Sequence, residues 1–202
     1  RGLLEEASCG EHDAIIIKID VKADKVIDCL KRRGFAPWFT EWFGYVLTHR
    51  VVSASLGNAQ TVRFLLIGTP QGGVLSPVIW NIVIDEFIII SDSLPQTELV
   101  VYADDGFGAV FGQNREELFQ RATRFLTEAH IWTASAGLSI NSKTEIMHVG
   151  LLVAHPPELS YEGNALTYQD SVKFLGILFD AKMTFRKHME NKVRLAKASI
   201  AK

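Results

Sequence analysis

The chain has 202 residues, of which 48% are hydrophobic and 22% are charged, and its formal net charge is −2. This composition excludes a disordered chain, and the length suits one medium domain or a fragment of a larger protein. The two cysteines, Cys9 and Cys29, stand in neither a CxxC nor a Cys/His spacing, which disfavours a disulfide-stapled secreted protein. No apolar run is long enough to span a bilayer, and no signal-peptide pattern follows Arg1. We therefore expect an intracellular protein of the cytoplasm or nucleus, cut out of a longer chain.

The first third of the chain predicts a strand, two helices and a hairpin. The run "AIIIKID", residues 14–20, is apolar and β-branched, which predicts a buried strand ending in a carboxylate. A helix follows and ends near Arg33, because Gly34 is well placed as its C′ residue. Two apolar runs flank Gly57-Asn58 and predict a hairpin. Between the first helix and this hairpin, Pro37 opens a second helix, with apolar residues at helical spacing: Trp38, Phe39, Trp42, Phe43, Val46 and Leu47.

The middle of the chain predicts a glycine-rich loop, a helix and an acidic hairpin. The loop is "GTPQGGVLSP", residues 68–77, and it ends with Pro77 at the first position of a helix that runs to about Ile90. Asp104 and Asp105 then follow an apolar strand and precede glycine-rich apolar residues. This pattern predicts a β-hairpin with the two carboxylates at its turn.

The last part of the chain predicts one long helix, further strands and a basic helix. Asn114 and Glu117 have the spacing of a capping box, and Gly137 is placed to end the helix that they start. Strands are expected around residues 145–153 and 172–179. Because strands and helices mix without regular βαβ repetition, the fold class is predicted to be α+β.

Three acids have the pattern of a metal site. Asp20 at a strand end and Asp104 and Asp105 at a hairpin turn can converge if the two elements are neighbours in one sheet. Adjacent carboxylates repel each other unless a positive charge meets them. An all-oxygen set suits a hard cation, Mg²⁺ above all with Mn²⁺ as an alternative, and two such ions suit in-line phosphoryl transfer. An Asp-Asp pair taken alone is more often a plain turn than a metal site.

The C-terminal segment is strongly basic. Residues 182–202 contain seven lysines or arginines against Glu190 alone, although the whole chain is slightly acidic. Such a run is either a solvated helix face or a surface that faces phosphates, and only its context can decide between them.

The order of these motifs resembles that of the reverse transcriptases. The box Tyr102-Ala103-Asp104-Asp105 lies between apolar strands and is preceded by the loop of residues 68–77. More narrowly, the chain resembles the polymerases of non-LTR retrotransposons of the jockey-like, arthropod type. The resemblance continues through "LTHRVVSASLG", "WNIVIDEF", "GLSINSKTE" and "VKFLGILFDAKMTF", and so covers nearly the whole chain. It implies a palm-type polymerase core and an RNA-directed DNA polymerase activity, a two-metal nucleotidyl transfer to a primer 3′-hydroxyl.

The resemblance also implies roles for individual residues. Asp20 matches the first metal-binding acid of the family, and Asp104 and Asp105 match the second metal box. The lysine of "NSKTE" lies where the family carries a lysine near the triphosphate, where it acts as a general acid for pyrophosphate or is merely solvated. The implied substrate-binding residues are Gln71 and Gly72 at the templating base and nucleotide, Tyr102 and Ala103 beside the primer end, and Lys143.

A primer-binding segment and a thumb are implied as well. Phe174-Leu175-Gly176 resembles the segment that grips the primer, and Phe174 and Leu175 are expected in a core strand in either case. We expect residues 1–180 to form the palm with partial fingers, and residues 181–202 to form a basic helix leading towards the thumb. The expected partners are an RNA template, a DNA primer and deoxynucleoside triphosphates, within a polyprotein that carries an endonuclease and without a membrane. The expected phosphate contacts of the helix are Arg186, Lys187, Lys192, Arg194 and Lys197.

The chain departs from the family pattern after Asp20. The family has Asp-x-x-x-Ala-Phe-Asp there, whereas this chain is several residues shorter and lacks the aromatic residue, with Ala23-Asp24 as the remnant. The basic fingers are missing upstream. We therefore expect a palm with little or no primer extension by itself. The alternative is a decayed retroelement fragment without catalytic activity; a nucleotide cyclase is more distant, because its Gly-Gly-acidic-Glu-Phe signature is absent.

Overall fold

The computed structural model describes residues 12–23, 26–57, 59–65, 73–103, 105–136, 138–140 and 144–200, with the backbone alone for 19–23, 64–65 and 138–140. Helices and strands are mixed, as predicted. The helices are α1 (Val26–Arg32), α2 (Pro37–Thr48), α3 (Ser76–Asp92), α4 (Arg115–Ala136) and α5 (Arg186–Ile200). The strands are β1 (Asp13–Ala23), β2 (Arg50–Leu56), β3 (Ala59–Leu65), β4 (Thr97–Tyr102), β5 (Asp105–Gly112), β6 (Leu138–Ile140), β7 (Glu145–Val149), β8 (Ser160–Tyr161), β9 (Asn164–Ala165), β10 (Ser171–Phe174) and β11 (Ile177–Asp180). No helix among the described residues is both long and apolar enough to cross a membrane.

The chain divides into two compact units. The first contains Arg1–Val21, Ile88–Ala129 and Ile140–Lys202, and the second contains Lys22–Phe87 and His130–Ser139. The main sheet has the strand order β4-β5-β1-β6, and β7 also pairs with β1. Three separate two-stranded sheets are formed by β2-β3, β8-β9 and β10-β11.

Strand β1 is the centre of the first unit. Residues Ala14 to Ile17 are fully buried, which explains why both alternating positions of "AIIIKID" are apolar. β1 pairs antiparallel with β5 from Asp13↔Gly112 to Asp20↔Asp105, and with β7 on its other side. One face of the sheet carries a core cluster of Ala14, Ile16, Phe107, Ala109, Phe111, Met147, Val149, Val172 and Phe174.

Helix α4 covers the other face of that sheet within the first unit. Gly108 allows the close approach, because a Cβ at this position would lie 2.6 Å from Cζ of Phe125. The predicted capping box is confirmed: Glu117 N–H donates to Oδ1 of Asn114 at 2.9 Å, and Asn114 Nδ2 donates to Glu117 at 3.0 Å. The Gln113 N–H, which also donates to Glu117, holds the pKa of that carboxyl below its usual value.

The second unit is built from helices and a hairpin. Helix α1 ends as predicted, because Gly34 has φ +76° and the Phe35 N–H donates to the Leu30 carbonyl at 3.1 Å. The Phe87 and Trp132 rings stack with centroids 4.8 Å apart. The β2-β3 hairpin is found where it was expected, and strand β2 is mostly exposed. The aromatic face of α2 is only partly buried, since Trp38 is 70% exposed.

Two predicted strands differ from the observed ones. The strand expected over residues 145–153 ends at Val149, because Gly150 takes a φ of +126° and the following loop turns back onto Asp13. The strand expected over residues 172–179 is a hairpin of β10 and β11. Leu175 and Gly176, with φ of +48° and +81°, form its two-residue turn.

Candidate functional site

The predicted acidic hairpin is present. Tyr102 and Asp105 are the last paired residues of β4 and β5, so the two strands are joined by a connection of two residues. Ala103 has φ +52°, a left-handed conformation that such a turn requires. Asp104 lies outside the described residues, and its backbone neighbours on both sides belong to the turn and to β5.

The register of the sheet brings Asp20 and Asp105 together. They are Cα partners at the end of the β1-β5 ladder. Directly opposed residues in an antiparallel pair have Cα atoms about 4.5–5.5 Å apart. Two residues distant in sequence are therefore neighbours at one end of the sheet, next to the end of the β4-β5 hairpin.

Asp105 lies on the sheet face that α4 does not cover. Side chains alternate along a strand, so Asp105 shares its face with Phe107, a member of the core cluster, rather than with Gly108. Asp105 is half-buried, so its carboxylate still reaches solvent. Like charges opposed across a strand pair are unfavourable unless a cation lies between them.

No group of three potential metal ligands is found among the described side chains. Asp104 and the side chain of Asp20 are outside that set, so the three-acid site stays a prediction. The same holds for Gln71, Gly72 and Lys143, which also lie outside the described residues. Cys29 is not a candidate for a reactive thiol, because burial, together with the nearby Glu86, raises its pKa to about 11.

The surface beside the turn is open. Tyr102 is 64% exposed at the end of β4, and Ala103 is exposed next to it. A tyrosine ring in solvent at a strand end is available for contact with a ligand. The contact of Tyr102 and Ala103 with a primer end stays a prediction.

The β10-β11 hairpin packs against the strand that carries Asp105. The Phe107 ring contacts the rings of Phe174 and Phe179, with centroids 5.0 and 5.2 Å apart. Phe174 is buried, as predicted. The prediction that Leu175 also belongs to the core is wrong: it is 47% exposed, because the turn points it away from the sheet.

Helix α5 presents its charges to solvent. None of its residues 186–200 is buried. At about 100° per residue, four of its basic side chains fall within roughly a third of the circumference. Lys192, which the sequence also predicts as a phosphate contact, lies on the opposite side, so a phosphate-binding surface formed by the other four does not include it. We call these four residues the basic stripe: Arg186, Lys187, Arg194 and Lys197. Glu190 lies within the stripe and pairs with Arg186 at 2.9 Å.

Two buried aspartates were not singled out from the sequence. Asp13 has no exposed surface and accepts hydrogen bonds from Nε2 of His148 at 2.9 Å and from the Val153 N–H at 2.7 Å. Asp180 is 7% exposed and accepts from the Thr184 N–H and hydroxyl, both at 3.1 Å. Burial raises the pKa of Asp180, but the hydrogen bonds from Thr184 and the Lys182 N–H outweigh it and hold that pKa below its usual value. An aspartate at the end of an apolar run with a threonine four residues later was the available signal.

Comparison with known proteins gives one family. A family model for reverse transcriptase (RNA-dependent DNA polymerase) matches residues 19–179. The chain is 32% identical over 165 residues to the "Retrovirus-related Pol polyprotein from type-1 retrotransposable element R1" of Bradysia coprophila. The aligned region covers 80% of the chain and 16% of that protein. It is 31% identical over 123 residues, 60% of the chain and 12% of the relative, to the "Putative 115 kDa protein in type-1 retrotransposable element R1DM" of Drosophila melanogaster.

A more distant relative and a solved structure agree. The "RNA-directed DNA polymerase from mobile element jockey" of Drosophila funebris is 24% identical over 138 residues, 66% of the chain and 15% of that protein. Apo telomerase from Candida tropicalis, truncated from its C-terminal domain, matches in fold with a TM-score of 0.50 at 12% identity, over 85% of this chain and 34% of that one. The chain spans 12–16% of the length of these curated relatives.

Proposed function

The chain belongs to the reverse transcriptase family, and from this premise we propose that it is the palm of a non-LTR retrotransposon polymerase. Its reaction is the transfer of a nucleotide from a deoxynucleoside triphosphate to the 3′-hydroxyl of a DNA primer on an RNA template. Residues 1–180 are the palm with partial fingers, and residues 181–202 lead towards a thumb. The protein works in the cytoplasm or nucleus, as part of a polyprotein that also carries an endonuclease.

One observation supports this proposal most directly. The register that pairs Asp20 with Asp105 puts two acids opposite each other, at the sheet end where Tyr102 and Asp105 close the β4-β5 hairpin. The alternative, a decayed fragment, is not favoured, because the family match spans residues 19–179, a range that contains Asp20, Asp104 and Asp105.

The acids fit a divalent cation. Carboxylate oxygens from Asp20, Asp104 and Asp105 would hold Mg²⁺, or Mn²⁺ as an alternative, and no softer ligand belongs to the set. When bound, such ions supply activation of the attacking 3′-hydroxyl and stabilisation of the leaving oxygen. The half-buried position of Asp105, open to solvent on the sheet face away from α4, suits this role.

Residues of the chain position the substrates. Tyr102 and Ala103, both exposed beside the acids, contact the primer end. The segment Phe174-Leu175-Gly176 holds the primer strand, with Phe174 anchored on Phe107 and Leu175 free to reach outward. Gln71 and Gly72 contact the templating base and the nucleotide, and Lys143 protonates the departing pyrophosphate.

The basic stripe of α5 binds the phosphates of the template–primer duplex. Its four charges are exposed on one side of the helix, and none of them is buried against the body of the chain. Four neutralised phosphates on a duplex correspond to a log–log salt slope of about −3.6.

The test of this function is ligand binding rather than turnover. We expect a deoxynucleoside triphosphate with Mn²⁺ to raise the unfolding temperature of the chain in the presence of a primer–template, and Asp105→Asn to abolish the increase. Glu98→Gln, an exposed acid on the same hairpin, is the matched control and should respond like the wild type. Equal stabilisation of the wild type and Asp105→Asn would contradict the assignment of the site.

A further inference from the structure

The basic helix buries none of its residues, and its contacts with the rest of the chain lie near its start, at Lys187 and His188. None of residues 186–200 is buried, so the orientation of α5 depends on how the chain leaves β11 at Asp180. The five residues between them, 181–185, form the junction.

Asp180 organises that junction from inside. Asp180 is 7% exposed, and one of its carboxylate oxygens, Oδ1, accepts from the Lys182 N–H at 3.2 Å and from the Thr184 N–H at 3.1 Å. The Thr184 hydroxyl lies 3.1 Å from each carboxylate oxygen. The Asp180 carbonyl also accepts from the Met183 N–H at 2.8 Å. One side chain thus satisfies donors from two of the five junction residues.

The backbone of the junction is held in an unfavourable conformation. Met183 and Phe185 have φ of +52° and +57°, a region that residues other than glycine rarely adopt. Such conformations persist where surrounding interactions over-determine them. Hydrogen bonds to the Asp180 carboxylate come from residues on both sides of Met183, and the Phe185 N–H also lowers the pKa of that carboxyl, so these contacts are placed to hold the bend.

The start of α5 has a second attachment to the same strand. His188 Nδ1 accepts from the Leu178 N–H at 3.2 Å, and the Phe185 ring meets the Phe179 ring edge-on at 5.5 Å. Phe179 packs in turn against Phe107, two residues from Asp105. These contacts fix the direction of α5 relative to β11. Because β11 packs on β5, they also fix it relative to the strand that carries Asp105.

We propose that Asp180 is a positioning residue for nucleic-acid binding: it fixes the direction of α5 and so sets how many phosphates the basic stripe reaches at once. This inference rests on the proposed function, because it takes the basic stripe to be the phosphate-binding surface. A residue that only stabilised the fold would lower the unfolding temperature without changing the affinity or salt slope of the folded protein.

The first experiment measures binding of an RNA–DNA primer–template duplex as a function of salt, below the unfolding temperature of every variant. For each phosphate that the basic stripe no longer reaches, Asp180→Ala should bind the duplex about tenfold more weakly at 0.1 M salt. The salt slope of its binding should be smaller as well. Asp180→Asn keeps an acceptor oxygen and should recover most of the affinity. Asp92→Ala, an exposed aspartate, is the matched control and should bind like the wild type.

The second experiment measures the direction of the helix without nucleic acid. Spin labels on Ser160→Cys and Ser199→Cys, both exposed sites, report the distance between the body and α5. Cys9→Ser removes one native thiol, and Cys29 is left in place because it is buried and its pKa of about 11 keeps it unreactive. The distance distribution should be narrow in the wild type, broad in Asp180→Ala and narrow again in Asp180→Asn.

The outcomes separate the two proposals. An unchanged distance distribution in Asp180→Ala, or a broadened one with unchanged affinity and slope, overturns the positioning role. Reversal of the four stripe charges without loss of affinity shows instead that the binding surface of the proposed function is wrong, and this inference falls with it. If Asp180→Ala does not fold, Thr184→Val, with Thr184→Ser as its control, removes the hydroxyl contact in a milder way and is read by the same criteria.

Discussion

The acidic hairpin and the basic helix are organised in opposite ways. Asp20 and Asp105 belong to strands whose register is set by a core on both faces of the sheet, because a shift of one residue would exchange the side chains that pack on the two faces and disrupt both cores. Helix α5 buries none of its residues and is held only at its start. A metal site needs geometry within a fraction of an ångström, which a core can supply. A phosphate-binding surface needs charge in solvent, which a core would remove.

The largest expected effect is on nucleic-acid binding by helix α5. Reversing the basic stripe (Arg186, Lys187, Arg194 and Lys197, each to Glu) should weaken primer–template binding at least 10³-fold at 0.1 M salt, on the order of tenfold per contact. The unfolding temperature should barely change, because these side chains are exposed. Fluorescence anisotropy over a salt series measures the effect. Lys192→Glu, on the opposite side of α5, is the control, and equal losses in both variants would refute a defined stripe.

The stability of the sheet that carries the acids should instead depend on its core. Phe107→Ala removes a buried ring that packs against Phe174 and Phe179 and should lower the free energy of unfolding by about 3–5 kcal/mol. Val193→Ala, on the exposed helix, should change it by less than about 0.5 kcal/mol. Urea denaturation gives both values. Similar losses in the two variants would mean that α5 is packed after all.

The family resemblance implies that the aromatic residue missing after Asp20 would lie beneath the sugar of the incoming nucleotide and exclude a ribose 2′-hydroxyl. Catalysis tests whether the acids suffice without that residue. The shortened segment after Asp20 should position the nucleotide less well, and misplacement of this kind lowers rates on the order of 10²-fold. Primer extension on an RNA template should therefore yield little or no product. Any residual product should discriminate poorly between ribo- and deoxyribonucleotides. Asp104→Ala is the blank, and robust, dNTP-selective extension absent from that blank would contradict this interpretation of the shortened segment.

Metal binding alone gives a smaller signal from the same site. Mg²⁺ or Mn²⁺ at about tenfold above its dissociation constant should stabilise the chain by about 1.4 kcal/mol through mass action. Asp104→Asn should weaken this response, because it removes one of the proposed carboxylates. Differential scanning fluorimetry over a metal titration measures it. A wild-type midpoint that does not move with either ion would argue that no site is formed.

The smallest expected effect concerns the junction at Asp180. Its pKa is lower in the folded chain than its usual value of 3.8, so its contribution to stability is present above that usual value and disappears as the pH falls through the native pKa. The stability difference between the wild type and Asp180→Ala should therefore be constant from neutral pH to about pH 5 and shrink below it. A pH series of urea denaturation curves measures it, and a difference that persists unchanged at about pH 2 would show that the charge of Asp180 contributes nothing.

Local signals in the sequence were sufficient for most elements. Gly34, the Asn114–Glu117 capping box and the Gly57-Asn58 turn act over a few residues, and each element that they predicted is present. The errors lie where distant residues intervene. The strand expected to run to Val153 stops early because the backbone beyond Gly150 turns to satisfy the carboxylate of Asp13, which is more than a hundred residues away.

The sequence by itself determined the family, the α+β class and the candidate acids, because these depend on residue types and short spacings. Tertiary structure decided that Asp20 stands opposite Asp105, since register is a property of two strands and the core that they share. It also decided that the 172–179 segment folds back at Leu175, where a non-glycine residue takes a positive φ that no short-range pattern announces. The importance of Asp180 is of the same kind. An aspartate after an apolar strand can be solvated or buried, and only the donors that the folded chain brings to it distinguish the two.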